Sequence, residues 1–199
     1  MILFNNPISS NALKVRFLLA ELDIPYEKRE VPLERPRPDW YLALNPVGAI
    51  PALDDDGFFL TESNTILRYL ADREGRADLY PPTPRERARV DEFLDRWSTG
   101  IRNAFYRVER NVLGFGGVPV DLDRATSEAA AITGTLVTLE GLIDGDTVLG
   151  SLTIADFAIA PVLSRAGAMP LDLSPFPRIS RLREALVSRP AFVAAEPLR

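Results

Sequence analysis

The stretch Asn45-Pro46-Val47-Gly48-Ala49-Ile50-Pro51-Ala52-Leu53, followed at Glu62-Ser63 by an acid and a hydroxyl, has the equipment of a ligand seat. Pro51 follows the β-branched Ile50 and cannot donate to a sheet ladder. With a cis bond, this turn leaves the Ile50 amide and carbonyl facing outward. There they can pair with an extended tripeptide, as a sheet edge pairs with an added strand. Thr61-Glu62-Ser63-Asn64 opens a helix whose first amides are free to hold a carboxylate, and the adjacent Glu62 side chain suits an ammonium. An amino-acid head on a short peptide fits all three devices, and glutathione is such a ligand. Upstream, Ser9 and Ser10 stand between a short apolar strand and a helix start, where a hydroxyl can donate a hydrogen bond or cap the helix.

The elements that must carry these residues follow from the hydrophobic periodicity. Ile2-Leu3-Phe4 reads as a buried strand, and Asn11 to Leu22 as a helix with apolar residues on two faces. Tyr26 to Val31 is a polar strand suited to a sheet edge, and the loop that follows holds Pro32, Pro36 and Pro38. Trp40 to Leu44 allows a short helix. Leu53 and Phe58 flank Asp54-Asp55-Asp56-Gly57, a hairpin signal, and a helix runs from about Glu62 to Arg73. The sum is βαβ followed by ββα, a thioredoxin-like half over residues 1-76. Pro81, Pro82 and Pro84 mark residues 77-84 as a linker. Everything in 85-199 has helical period. Val90, Phe93, Leu94, Trp97, Ile101, Phe105 and Val108 make one long apolar face. Gly114, Gly116, Gly117 and Pro119 break the chain, a single helix is expected from Asp123 to Leu142, and Thr153 to Ala166 is the most apolar helix. Thr153 and Asp156 have the spacing of a capping box.

Composition narrows the chemistry. With 199 residues, 46% of them hydrophobic, the chain can bury one large or two small cores. Lys+Arg 23 against Asp+Glu 28 gives a net charge of -5, which offers no basic field for nucleic acid. The absence of cysteine and histidine excludes disulfides and thiolate metal sites, and removes the commonest metal ligand and general base, so no metal is expected. Catalysis must come from hydroxyls, carboxylates, arginines or backbone. No signal peptide or bilayer-spanning run is visible, so a soluble cytoplasmic protein that does not engage membranes is expected.

With Phe4-Asn5-Asn6-Pro7-Ile8-Ser9-Ser10 before it, Arg68-Tyr69-Leu70 after it and Thr153-Ile154-Ala155-Asp156 further on, the Ile50-Pro51 and Glu62-Ser63 pattern resembles the soluble glutathione transferases over nearly the whole chain. The resemblance implies a thioredoxin-like domain joined to an all-α domain, a homodimer, and glutathione as co-substrate for a small hydrophobic electrophile. It implies glutathione binding by Ile50, Pro51, Glu62 and Ser63. Ser9 lies six residues ahead of Val15, the offset of the catalytic serine in the serine-type classes; Ser10 is the second choice and Asn11 a distant third. A free thiol near pKa 8.5 is a few per cent ionised at pH 7, and the thiolate is the nucleophile. One hydroxyl donating to that charge, worth about 1.5–3 kcal/mol, lowers the pKa by about 1–2 units. Arg35 and Arg37 are candidates for the glycine-end carboxylate. Asn103, Tyr106, Arg107 and Phe115, near the end of the helix that overhangs the thiol in this fold, are candidates for the electrophile pocket. The alternative is a non-enzymatic ligand-binding or assembly protein of the same fold. Ala49 favours it somewhat, because many relatives carry a polar residue there.

Overall fold

The computed structural model describes residues 1–115 and 119–198. Four strands form a mixed sheet of order β2-β1-β3-β4: β1 (Ile2–Asn5), β2 (Glu27–Glu30), β3 (Ala52–Asp55) and β4 (Phe58–Leu60). β1 pairs parallel with β2 and antiparallel with β3, with Phe4 opposite Ala52. β2 is exposed along its whole length, as its Glu-Lys-Arg-Glu sequence demands of an edge. The β3–β4 turn places Asp56 and Gly57 at positive φ, and the Gly57 amide donates to Asp54 Oδ1 at 2.7 Å.

Helix α1 (Ser10–Glu21) covers one face of the sheet with α3 (Ser63–Arg73), while α2 (Asp39–Leu44) covers the other. Phe4, Val31, Tyr41 and Ile50 form a small cluster on the α2 side. The helices that follow are α4 (Pro84–Arg96), α5 (Arg102–Leu113), α6 (Leu122–Ala131), α7 (Thr133–Leu142), α8 (Ile154–Ser164), α9 (Pro177–Val187) and α10 (Pro190–Ala194). All strands among the described residues lie before residue 61. The larger apolar cluster runs continuously from Leu3 to Ala195. It crosses between sheet layer and helices at α1, where Phe17 packs on Phe157 and Phe192 with ring centroids 4.3 and 5.1 Å apart. α8 starts with the capping box, Asp156 accepting from the Thr153 amide at 2.8 Å.

Two helices differ from the periodicity. The long apolar face is buried as expected, but its helix is interrupted by a π turn at Trp97–Ile101. Just there, Ser98 Oγ donates to the Leu94 carbonyl at 2.7 Å and Thr99 Oγ1 to the Asp95 carbonyl at 2.8 Å, competing with the backbone ladder, and Gly100 follows. The single helix expected over 123–142 is two, divided at Ile132 (φ -96°, ψ 8°), which is buried at the corner. Ile132 is apolar and fits the stripe of either helix, so periodicity does not register the break. Of the residues expected to end α5, Gly114 holds a left-handed cap at φ 65°, whereas Gly116 and Gly117 lie outside the described residues.

Candidate active site

Two cavities between the sheet layer and the helices share one wall. The smaller, about 250 Å³, gathers Ser9, Ser10, Ile50, Arg35, Arg37 and Phe115. The larger, about 360 Å³, holds Glu62, Ser63 and Asn103 together with Lys14 and Asn64. Asn11, Arg102 and Tyr106 line both.

Ser9 is the N-cap of α1, its Oγ accepting from the Ala12 amide at 3.2 Å. A hydroxyl has one hydrogen to donate and two lone pairs. Capping uses a lone pair, so it leaves the Ser9 hydrogen free for a ligand, and one residue can do both tasks. Ser10, in the first turn, is 6% exposed and accepts from Arg102 Nη2 at 2.8 Å.

The Ile50–Pro51 bond is cis. Tyr41 Oη and Asn45 Nδ2 both donate to the Ala49 carbonyl, the latter at 2.9 Å, and so hold the residue before Ile50. The Ile50 amide and carbonyl have no backbone partner among the described residues. Pro51 is buried behind Ile50 and lines neither cavity.

At the start of α3, Glu62 takes φ 65° and ψ 105°, a left-handed conformation that is costly for a residue with a Cβ. Glu62 makes no side-chain cap bond to this helix, and the residues that carry its first amides, Ser63 and Asn64, line the larger cavity. Lys14 reaches the same corner from α1, donating to Asn64 Oδ1 at 2.6 Å. Burial pushes the Lys14 pKa down to about 7; nearby Arg102 and Arg68 act in the same direction, and Glu62 opposes them.

The two arginines of the proline-rich loop separate. Arg37 is 8% exposed and donates to the carbonyls of Gly48 at 3.0 Å, Pro32 at 2.8 Å and Glu34 at 3.2 Å. Gly48 sits at φ 66°, and a Cβ there would come within 2.9 Å of the Arg37 stem. Arg37 is therefore a loop staple, with burial holding its pKa below the usual arginine range. Arg35 is exposed at the cavity mouth.

Of the residues expected in the electrophile pocket, Tyr106 and Phe115 pack together, with ring centroids 5.6 Å apart. Asn103 faces the larger cavity with its Nδ2 bonded to the Thr99 carbonyl. Arg107 lines neither cavity, and its Nε donates to Glu128 at 3.0 Å, tying α5 to α6.

Three charged residues that the sequence does not single out support the Ser9 segment: Glu109, Arg102 and Arg165. Glu109 is fully buried and pairs with Arg165, and with Arg102 Nη2 at 3.0 Å in an ion pair that lacks hydrogen-bond geometry. Arg165 Nη2 also donates to the Ile8 carbonyl at 2.7 Å. The two guanidiniums thus grip the chain on either side of Ser9, and Glu109 anchors both. Burial lowers the Arg102 pKa, and Glu109 counteracts it. One signal was available: Arg102 and Glu109 are seven residues apart, each just past a position of the buried stripe, so they share a face of α5.

A family model described as "Glutathione S-transferase, N-terminal domain" matches residues 3–78. Over 95% of its length the chain is 31% identical to 89% of a probable maleylacetoacetate isomerase of Caenorhabditis elegans. It is 30% identical over 92% of its length to 91% of the glutathione S-transferase GstB of Escherichia coli K12. The theta class glutathione S-transferase of Xanthomonas axonopodis pv. citri, solved with glutathione bound, superposes with a TM-score of 0.85 at 25% identity, covering all of this chain and 97% of that one. No helix among the described residues is long and apolar enough to cross a membrane.

Proposed function

The chain belongs to the soluble glutathione transferase family, and on that premise we propose how its own residues bind glutathione and activate the thiol for attack on a small electrophile. The observation that carries the reading is the shared wall: Ser9 and Ile50 on one side, Glu62 and Ser63 on the other, joined at Asn11, Arg102 and Tyr106. Glu62 takes the ammonium of the γ-glutamyl head, and Ser63 with the first amides of α3 takes its carboxylate. The Ile50 backbone pairs with the cysteinyl residue. Arg35 meets the glycine carboxylate, because three of the Arg37 donors' contacts already go to carbonyls.

Ser9 donates to the sulfur and favours the thiolate, whose proton goes to solvent. The thiolate then attacks the electrophilic carbon of a haloaromatic, for example. A C–S bond forms, the C–halogen bond breaks, and the halide leaves with the bonding pair. Tyr106, Phe115 and Asn103 border the electrophile. We extend the reading to a cytoplasmic homodimer, supported by the family and by the wide apolar faces read in the helices near Glu62 and Arg85. Light scattering at micromolar protein reads the dimer directly.

A second reaction is favoured by Arg35, Arg102 and Arg165 around the smaller cavity and by the isomerase relative. Thiolate addition to a cis double bond conjugated to carboxylates, rotation and elimination would isomerise it and return the glutathione. Retention on immobilised glutathione, with turnover of a chloronitroaromatic and of a maleyl substrate, tests both reactions. Glutathione binding without turnover across a broad electrophile panel would overturn the enzymatic assignment in favour of a ligand-binding role.

A further inference from the structure

Lys14 is 3% exposed, yet it borders the larger cavity beside Glu62 and Ser63. It lies one helical turn beyond Ser10 on α1, and its bond to Asn64 Oδ1 at 2.6 Å is its one hydrogen bond among the described residues. An ammonium has three donors, so a lysine serving only as a strut between α1 and α3 leaves two of them without acceptors. The amino-acid head of glutathione carries opposite charges on one carbon. Glu62 alone would attract its ammonium and repel its carboxylate.

Resting on the glutathione reading above, we propose that Lys14 is a binding residue of the γ-glutamyl seat: its ammonium, with the first amides of α3, takes the head-group carboxylate while Glu62 takes the ammonium. The charged groups around Lys14 are Arg102 on α5, Arg68 on α3 and Glu62 before it; burial and the two arginines favour the neutral amine, Glu62 the charged one. Without ligand, Lys14 titrates at about 7. An arriving carboxylate stabilises the charged form and draws a proton onto the amine. Affinity is therefore highest at the acid side, where Lys14 is already charged, and falls as pH rises above about 7.

S-methylglutathione is the suitable probe, because its blocked sulfur releases no proton. Calorimetric titration in two buffers of different ionisation enthalpy, on the alkaline side of the Lys14 midpoint of about 7, is expected to show net proton uptake by the wild-type chain. Lys14→Met should weaken binding about 10- to 100-fold at slightly acid pH and abolish that uptake. Lys14→Arg, which keeps the charge but cannot release it, should bind with little loss and no uptake. Uptake arising from the ligand's own amine would persist in both variants. If wild type and Lys14→Arg take up protons equally, or Lys14→Met binds as wild type does, the Lys14 assignment is overturned while glutathione binding stands. If wild type binds neither S-methylglutathione nor glutathione, the reading beneath it falls as well. Should Lys14→Met not fold, wild type against Lys14→Arg decides.

Discussion

At the start of α1, Ser9 has ordinary extended backbone (φ -68°, ψ 113°) and satisfies a helix amide with its own side chain. At the start of α3, Glu62 stands at φ 65° and caps nothing. The first terminus is complete in the protein alone. The second lacks such a cap and holds a conformation that costs about 1–3 kcal/mol. The difference separates the two tasks of a transferase. On the proposed function, the α3 end grips the ligand's head equally in ground and transition states and so sets affinity. On the same proposal, the α1 end meets only the sulfur, whose charge matters for the reaction, and so sets the rate.

The largest expected effect strikes the support of the α1 end. Glu109→Ala leaves two buried guanidiniums without their carboxylate and should cost about 3–5 kcal/mol of stability, read from urea melts. Next, Ser9→Ala should slow turnover near neutral pH by about one to two orders of magnitude and less at high pH, where the thiol ionises unaided. It should also cost about 1 kcal/mol of stability through the lost cap. Pairing its pH–rate profile with that of Ser10→Ala identifies the serine: a shift only in Ser10→Ala transfers the role to Ser10, and no shift in either leaves the thiolate to backbone amides.

Glu62→Gly is the sharper test of the comparison, because its two effects have opposite signs. Glycine accepts φ 65° without strain, so the ligand-free chain should gain up to about 1 kcal/mol in melts, while glutathione binding weakens through loss of the carboxylate. A variant that loses both stability and affinity would mean that Glu62 holds the fold rather than the ligand. The smallest effect belongs to Arg107→Ala, outside the cleft. Its half-exposed pair with Glu128 should cost at most about 1 kcal/mol, with turnover unchanged.

What could be read in the sequence was local. Asp56-Gly57, Thr153 to Asp156 and the Ile50-Pro51 turn each declare their geometry within a few residues, so hairpin, helix start and exposed edge were legible. Ser9 looked like a choice between cap and catalyst, because sequence shows a residue type but not which lone pair or hydrogen is engaged. Arg37 was legible as a cation near the cleft. That its stem lies under Gly48, and its donors under three carbonyls, depends on how the loop closes. The grip on Ser9 was hidden for a longer-range reason: Glu109 and Arg165 are 56 residues apart and meet only when α5 packs beside the end of α8. Lys14 was not legible, since a lysine on α1 can as well extend to solvent, and its burial against Asn64 depends on how α1 packs on α3.

The π turn at Trp97–Ile101 makes the cleft sensitive to residue count as well as to residue type. Each residue added to or taken from a helix rotates everything beyond it by about 100°. Arg102, Asn103 and Tyr106 all lie beyond that turn, and all face the cavities because of the phase it sets. A lineage that gained or lost a single codon here would present a different side of α5 to the ligand at one stroke. Val90, Phe93 and Leu94 before the turn would stay in place, but Phe105 and Val108 beyond it would leave the core together with Arg102 and Tyr106 leaving the cavities, so the turn ties the lining of the cleft and the packing of α5 to one phase.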